Sequence, residues 1–332
     1  MSLATWPSPE QDLSRLPGAM RTRLERKLPA GGVVTFEWAP AGWLKQDGTP
    51  RLEDWRAYHY QPDPCCSACR GTGRAPSEKR PRGTIQCKAC KGTGIGPRER
   101  MVSVTTLLDS ISPKPGLPPW AEARGIEGAV QAMRMGEITT DTDPEDAVKL
   151  VRLLRLGADR ARDDAASRGL DVHTLNETFA LTGGAPRLDD HPSEHHGYIA
   201  AWASWLLERR PEAVVVEGLV CDPEAGYAGR RDFVATVGRA RVGYDFKTSE
   251  RAAIFSGAHV QLRLYERAAV ACGDEPCDEL VIVVFAADGQ WREMPCAASE
   301  STAKAALEFY REVKPIDAEC ASWNRFERDA RR

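Results

Sequence analysis

Apolar positions recur along this chain with two different periods, and the change from one to the other divides it. Over residues 145–166 they fall at helical spacing (Ala147, Leu150, Val151, Leu154, Leu156), which predicts a helix that Gly169 breaks or kinks. A second helix over 170–181 carries His173 and ends at Gly183 and Gly184. Residues 193–209, rich in Trp and Ala, read as another amphipathic helix. Ser103 is placed to cap a helix over 104–108, which Pro113 and Pro115 stop. Beyond Arg209 the period drops toward two. Residues 213–221, 227–237 and 241–248 read as strands, the last two joined by a tight hairpin over Gly238. A helix over 255–272 follows. A β-branched apolar run over 280–286 then reads as a buried strand, with 291–295 set to pair with it. Residues 299–313 form a closing helix. The order is helices and then β-β-β-α-β-β-α, which predicts an α/β (α+β) core with a central mixed sheet between helices.

The first hundred residues follow neither pattern cleanly. Residues 1–33 read as a helix-prone leader ending at Pro29, Gly31 and Gly32. Residues 34–64, with Trp38, Trp43, Trp55, Tyr58, Tyr60 and turn signals, read as a short β-rich cap. The expected division is therefore 1–64 as leader and cap, 65–100 as a cysteine module, and 101–332 as the main domain. A chain of 332 residues with 42% hydrophobic residues has room for one large core plus a small module. No apolar run approaches the length of a membrane span, and the N-terminal stretch lacks a signal peptide's apolar segment. A cytoplasmic protein without membrane contact is expected, so its ten cysteines read as metal ligands or buried thiols.

Two of those cysteine groups repeat. Cys66-Ser-Ala-Cys69-Arg-Gly-Thr-Gly73 recurs as Cys87-Lys-Ala-Cys90-Lys-Gly-Thr-Gly94, with seventeen residues between Cys69 and Cys87. Two C-x-x-C knuckles supply four thiolates, enough to close one tetrahedral Zn²⁺ site per chain. Rubredoxin-like iron or an iron–sulfur cluster is the other occupant such a set takes. Cys65 is out of phase with the repeat and reads as a bystander. The C-x-x-C-x-G-x-G unit resembles the cysteine-rich domain of DnaJ-type chaperones. That family carries four such units and a His-Pro-Asp motif, whereas this chain has two units and no such motif, so the resemblance implies a zinc hairpin rather than co-chaperone activity. Charge is uneven here. Between Cys65 and Arg100 nine Lys/Arg face two acidic residues, so the segment stands at +7 within a chain of net charge −3. A basic module on an acidic body points to a polyanion, with Lys79, Arg80 and Arg82 as candidate DNA contacts. A solvated loop that only aids solubility is the other reading of the same charges.

The densest chemistry lies in residues 229–248. Asp232 sits on one expected strand, and Asp245 and Lys247 sit on the next, on one face because strand side chains alternate. Two carboxylates converging at a sheet make a hard-oxygen site suited to Mg²⁺ or Mn²⁺. With a lysine beside them, these groups are what phosphodiester hydrolysis needs. A lone D-x-K is weak evidence; Glu25-Arg26-Lys27 matches E-x-K by accident within the charged leader, which is expected to be helical. Asp245 has more in its favour: a buried strand, an aspartate one hairpin upstream, and Gln261 and Tyr265 following on one face of a helix. Glu217, on the preceding strand, reads either as a further carboxylate of the site or as a solvent-facing residue. His191, His195 and His196 read as surface.

The series Gly229-x-x-Asp232, Asp245-x-Lys247-Thr248 and Gln261-x-x-x-Tyr265 resembles the RecB-like branch of the PD-(D/E)XK nucleases, including phage-type exonucleases. Ala165-x-x-x-Gly169 followed by His173, and Ser103-Val-Thr-Thr-Leu107 followed by Pro115 and Trp120, fit the same family. The resemblance covers about residues 101–312. It implies a restriction-endonuclease-like core. It further implies that His173, Asp232, Asp245 and the backbone carbonyl of Phe246 bind the metal. Lys247 would activate or orient water, and Gln261 and Tyr265 would hold DNA. The implied activity is metal-dependent exonucleolytic hydrolysis of DNA in phage or bacterial recombination or repair, with a single-strand annealing protein as a candidate partner. An endonuclease or resolvase on the same fold, and a non-catalytic adaptor built on the zinc module, are the rival readings. Iron–sulfur members of this branch use a closely spaced cysteine trio, which the scattered Cys272, Cys277, Cys296 and Cys320 do not match.

Overall fold

The computed structural model describes residues 23–29, 31–39, 55–62, 68–70, 72–77, 80–91, 96, 98–111, 117–154, 156–182, 188–249 and 254–330. Eleven strands and seven α-helices fall within them. The strands are β1 (Arg23–Lys27), β2 (Val33–Ala39), β3 (Trp55–Gln61), β4 (Arg74–Ser77), β5 (Arg80–Gln86), β6 (Glu99–Ser103), β7 (Glu212–Asp222), β8 (Tyr227–Val237), β9 (Ala240–Thr248), β10 (Glu279–Phe285) and β11 (Trp291–Pro295). The helices are α1 (Val104–Ile111), α2 (Leu117–Arg134), α3 (Pro144–Leu153), α4 (Ala158–Thr182), α5 (His196–Arg209), α6 (Ser256–Ala271) and α7 (Glu300–Ala330). Among the described residues no helix is long and apolar enough to cross a membrane.

Nine strands form one mixed sheet in the order β1-β2-β3-β6-β8-β9-β10-β11, with β7 paired to β8. The expected β-β-β-α-β-β-α order over residues 212–330 is present, and helices cover both sheet faces. On one face Val172 and Leu175 of α4 and Trp202 and Trp205 of α5 pack on Phe233, Tyr244, Phe246, Val283 and Phe285. On the other, α1, α6 and α7 bury Val104, Leu107, Leu264, Ala268, Leu307 and Tyr310 against Leu219, Val220 and Tyr227. Strand β10 shows why its sequence is apolar throughout. Val281, Val283 and Phe285 face the α5 side, while Leu280, Ile282 and Val284 pack on Ala258 and Leu262 of α6.

Four expectations are corrected. The leader was expected to be helical, yet Arg23–Lys27 is a strand pairing antiparallel with β2. Its period is two: Leu24 and Arg26 turn inward while Glu25 and Lys27 stay in solvent. The helix expected over 145–166 is two helices, and the break is at Gly157 rather than Gly169. Gly157 has φ +79°, and a Cβ there would sit 2.7 Å from the Arg124 carbonyl oxygen. Gly169 lies inside α4. The closing helix runs to Ala330 and carries Pro315 within it. The cap, lastly, does not pair apart from the main sheet. Tyr58–Tyr60 of β3 pair with β6, which pairs with β8, so β1–β3 extend the central sheet across the boundary expected at residue 64. Strands β4 and β5 form a separate two-stranded hairpin within the cysteine module. The cap at Ser103 is present: its Oγ accepts a hydrogen bond from the Thr106 backbone N–H at 3.0 Å.

Candidate active site

The site is placed by a fork in the sheet. Strand β8 gives one edge entirely to β7 and divides the other between two partners. Tyr227 and Ala228 pair with β6, and Phe233–Val237 pair with β9. Residues 229–232 lie between these partners, where β6 and β9 part. Phe233 faces Tyr244 in the β8–β9 ladder, so the next rung sets Asp232 across from Asp245. In the β7–β8 ladder Val216 faces Phe233 and Gly218 faces Arg231, which sets Glu217 across from Asp232. Three carboxylates therefore stand in one row across three adjacent strands. Like charges directly opposite each other destabilise a sheet, so this row requires cations.

The protein supplies some of them. Helix α4 brings His173 over the row, its Nδ1 2.8 Å from Glu217 Oε1 and 3.8 Å from Asp232 Oδ1. Arg230 Nη2 lies 2.8 Å from Glu217 Oε2. Lys247 Nζ lies 2.6 Å from Asp245 Oδ2. The Phe246 backbone N–H donates to Asp232 Oδ2 at 2.8 Å. Asp245 is 1% exposed; Lys247 meets its Oδ2 as an ion pair, and its Oδ1 has no hydrogen-bond partner. A buried carboxylate oxygen without a donor costs the full desolvation of that atom. A divalent cation bound by oxygen ligands meets that need, so the donor set fits Mg²⁺ or Mn²⁺. His173, Glu217 and Asp232 each offer an atom, all within 4.8 Å of one another.

Proton affinities follow the crowding. Burial pushes the Asp232 carboxyl up to about 7, the neighbouring Asp245 adding to the push and His173 opposing it. Burial alone would lower the His173 imidazole, but Asp232 and Glu217 outweigh it and hold it up at about 9. Burial raises the Glu217 carboxyl, yet Arg230 and His173 overcome this and hold it below the usual carboxylate range. Lys247 is raised because Asp245 and Asp232 outweigh its burial. Without metal the site therefore holds protons that a cation would displace.

Gln261 and Tyr265 share one face of α6, and the Gln261 side-chain amide donates to the Tyr265 hydroxyl at 3.0 Å. Tyr265 lies against Gly229, where a Cβ would come within 2.4 Å of Tyr265 Cε1. The glycine of Gly229-x-x-Asp232 is thus required by the close approach of that ring. Burial raises the Tyr265 phenol well above its usual range.

Of the sequence-predicted residues, His173 and Asp232 meet in one possible metal-binding group, Lys247 pairs with Asp245 beside them, and Gln261 pairs with Tyr265. Glu217, open between two readings in the sequence, belongs to the row. Its backbone sits at φ +51°, in the left-handed region, so simple alternation does not reveal where its side chain goes. Arg230 was missed altogether, although its position two residues before Asp232 puts it on the same strand face. His195 is a correction: expected at the surface, it is 5% exposed, with Nδ1 2.6 Å from Asp171 Oδ2. The short turn before α5 directs it back against α4, where His191 Nδ1 is also 3.4 Å from Asp171.

In the cysteine module the hairpin β4–β5 brings the two knuckles together. The Cys69 and Cys90 sulfurs are 3.7 Å apart, and those of Cys69, Cys87 and Cys90 all lie within 4.8 Å of one another. Four sulfurs at 2.3 Å from a tetrahedral zinc are about 3.8 Å apart, so the spacing is compatible with such a site. The repeat extends to the backbone: Arg70 and Lys91, each following the second cysteine of its knuckle, have φ +50° and +51°. Cys65, Cys66 and Lys79 lie outside the described residues. Arg80 and Arg82 fall on β5, with no side-chain placement described. Among the described residues Cys272, Cys277 and Cys296 form no metal-binding group; Cys272 packs on Cys221, their sulfurs 3.9 Å apart. No family model and no curated protein matches this chain.

Proposed function

We propose that this protein is a metal-dependent nuclease hydrolysing DNA phosphodiester bonds, with a restriction-endonuclease-like core and exonuclease action in phage or bacterial DNA recombination or repair. The observation that carries the reading is the carboxylate row at the sheet fork, with a partnerless Asp245 oxygen and Lys247 beside it. Asp232, Asp245, His173 and the Phe246 carbonyl hold Mg²⁺ or Mn²⁺, with Glu217 as a further ligand or as the group that orients His173. A cation there supplies Lewis-acid chemistry that lowers the pKa of water and offsets phosphate charge.

The other roles belong to the chain. Lys247, 31% exposed and paired to Asp245, reaches out of the row to hold the attacking water or the charge that develops on the phosphate. The Phe246 amide fixes Asp232 in place. Gln261 and Tyr265, locked to each other, position the DNA strand. In the cysteine module Cys66, Cys69, Cys87 and Cys90 hold one structural Zn²⁺. Lys79, Arg80 and Arg82 then contact DNA, or the module docks a partner such as a single-strand annealing protein.

The test is release of acid-soluble nucleotides from linear and circular DNA with Mg²⁺ or Mn²⁺. Release from linear DNA alone is the expected result. Nicking of circles would make the protein an endonuclease or resolvase. DNA binding without cleavage of either would overturn the catalytic reading in favour of an adaptor.

A further inference from the structure

The N-terminal strands join the sheet on the β6 side of the fork, and one of their rings reaches the site. Arg230 lies over the Phe36 ring of β2, its guanidinium carbon 5.6 Å from the ring centroid. Phe36 is 5% exposed and packs on Tyr58 of β3 with ring centroids 5.0 Å apart. Arg230 therefore has a fixed platform below and one fixed partner ahead, the Glu217 carboxylate at 2.8 Å. Glu217 needs such a partner. Its backbone sits at φ +51°, in the left-handed region that strains a residue with a side chain. Its carboxylate also faces Asp232 across the ladder, and two cations hold it against that repulsion: His173 Nδ1 at 2.8 Å from Oε1 and Arg230 Nη2 at 2.8 Å from Oε2. The other basic residue of the pair, Arg231, is committed elsewhere: its Nη2 lies 2.6 Å from Asp274.

We propose that Arg230 is a positioning residue that holds Glu217 in the carboxylate row, and that Phe36 makes the N-terminal strands part of the active site. The proposal rests on the nuclease reading above. It extends that reading to a segment whose own sequence carries no catalytic signal. Arg230 does this by geometry as well as charge. A planar guanidinium can lie on a ring and bond a carboxylate at once, which an ammonium cannot reproduce.

The experiment uses the full chain and the variants Arg230→Gln, Arg230→Lys and Phe36→Leu. Mn²⁺ affinity is measured by electron paramagnetic resonance, and kcat and KM on linear DNA are measured alongside. Groups that orient ligands typically change metal affinity or activity by about 10–100-fold. Arg230→Gln should therefore weaken Mn²⁺ binding and lower kcat by at least about tenfold, with KM for DNA within about threefold. Arg230→Lys should fail to restore either quantity, and Phe36→Leu should shift both in the same direction by less. Melting curves identify any variant that has lost its fold, and the milder Phe36→Leu keeps the test open if Arg230→Gln unfolds. Wild-type Mn²⁺ affinity and kcat in Arg230→Gln would overturn the proposal. So would full rescue by lysine, which would leave only a charge effect. Wild-type protein that neither binds Mn²⁺ nor cleaves DNA would instead sink the underlying nuclease reading.

Discussion

The sheet fork and the cysteine hairpin both gather metal-binding side chains, and they do so by opposite means. The fork draws His173, Glu217, Asp232 and Asp245 from one helix and three strands, and the elements carrying them are fixed by core contacts that need no metal. Trp205 alone has its ring centroid 5.2 Å from Tyr244 and 5.3 Å from Phe246, the residues that bracket Asp245. The cysteine module draws its thiols from a short stretch around a two-stranded hairpin, and a hairpin of that size is marginal in water. Among its described residues the buried apolar cluster consists of Cys69, Cys87 and Cys90 themselves. A metal at the fork would therefore be added to a finished fold, whereas a metal at the hairpin would be much of what makes a fold there.

The sharpest way to break this contrast is at the fork. Asp245→Ala and Lys247→Ala should each lower DNA cleavage on the order of 10³-fold, since each removes an interaction with the reacting phosphate or its cation. Circular dichroism and melting should stay those of a folded protein. Near-wild-type cleavage by either variant would remove the assignment. At the hairpin the pattern reverses. Cys87→Ser should drop bound zinc, by elemental analysis, from about one equivalent to near none, because a structural site loses most of its affinity with one ligand. Limited proteolysis should then cut within residues 65–100, while the melting midpoint of the main domain stays put. Two zinc equivalents in the wild type, or a brown iron chromophore, would contradict this picture.

How far this was legible in the chain depends on where each signal resides. Strands β7, β8 and β9 follow from alternation, and with them the facing of Asp232, Asp245 and Lys247. Glu217 does not, because its left-handed φ steps out of the alternation that sequence reading relies on. Arg230 and Phe36 are separated by 194 positions and meet only through sheet order, which no local pattern encodes. The same holds for β1: residues 1–33 read as a helix-prone leader, and the strand is fixed by long-range contacts, Arg26 bonding Asp274 and the Leu219 carbonyl. Gly157 and Gly169 are alike as letters. The tight approach of Arg124 makes the first the breaker.

A smaller effect lies in pH. His173 has a folded-state pKa of about 9, above its value near 6.5 in the unfolded chain. Its contribution to the metal-free protein is thus complete below about pH 6.5 and lost as pH rises through 9, at most about 3 kcal/mol. The metal-free melting temperature should fall between pH 7 and 9.5, and His173→Gln should flatten that fall. Saturating Mg²⁺ should flatten it too, because the cation replaces the proton. A metal-free curve without slope in that window would contradict the charged pairing of His173 with Asp232 and Glu217. The smallest effect concerns the hairpin's charges. If the module grips DNA, neutralising Lys79, Arg80 and Arg82 should weaken binding and lower the salt slope by roughly 0.7–0.9 log–log unit per lost phosphate contact. The kcat at saturating DNA should hold, since such contacts are alike in ground and transition states. An unchanged slope would make the module a protein dock or a brace.

The proposed metal-dependent cleavage of DNA at the fork is tested by titrating Mg²⁺ from zero into the wild type and Asp245→Asn with an end-labelled linear duplex. Wild-type hydrolysis should begin only with added metal and then saturate, and Asp245→Asn, still folded, should stay inactive at every concentration. Wild-type cleavage in excess chelator, or a metal-dependent curve in Asp245→Asn that overlays the wild type, would contradict it.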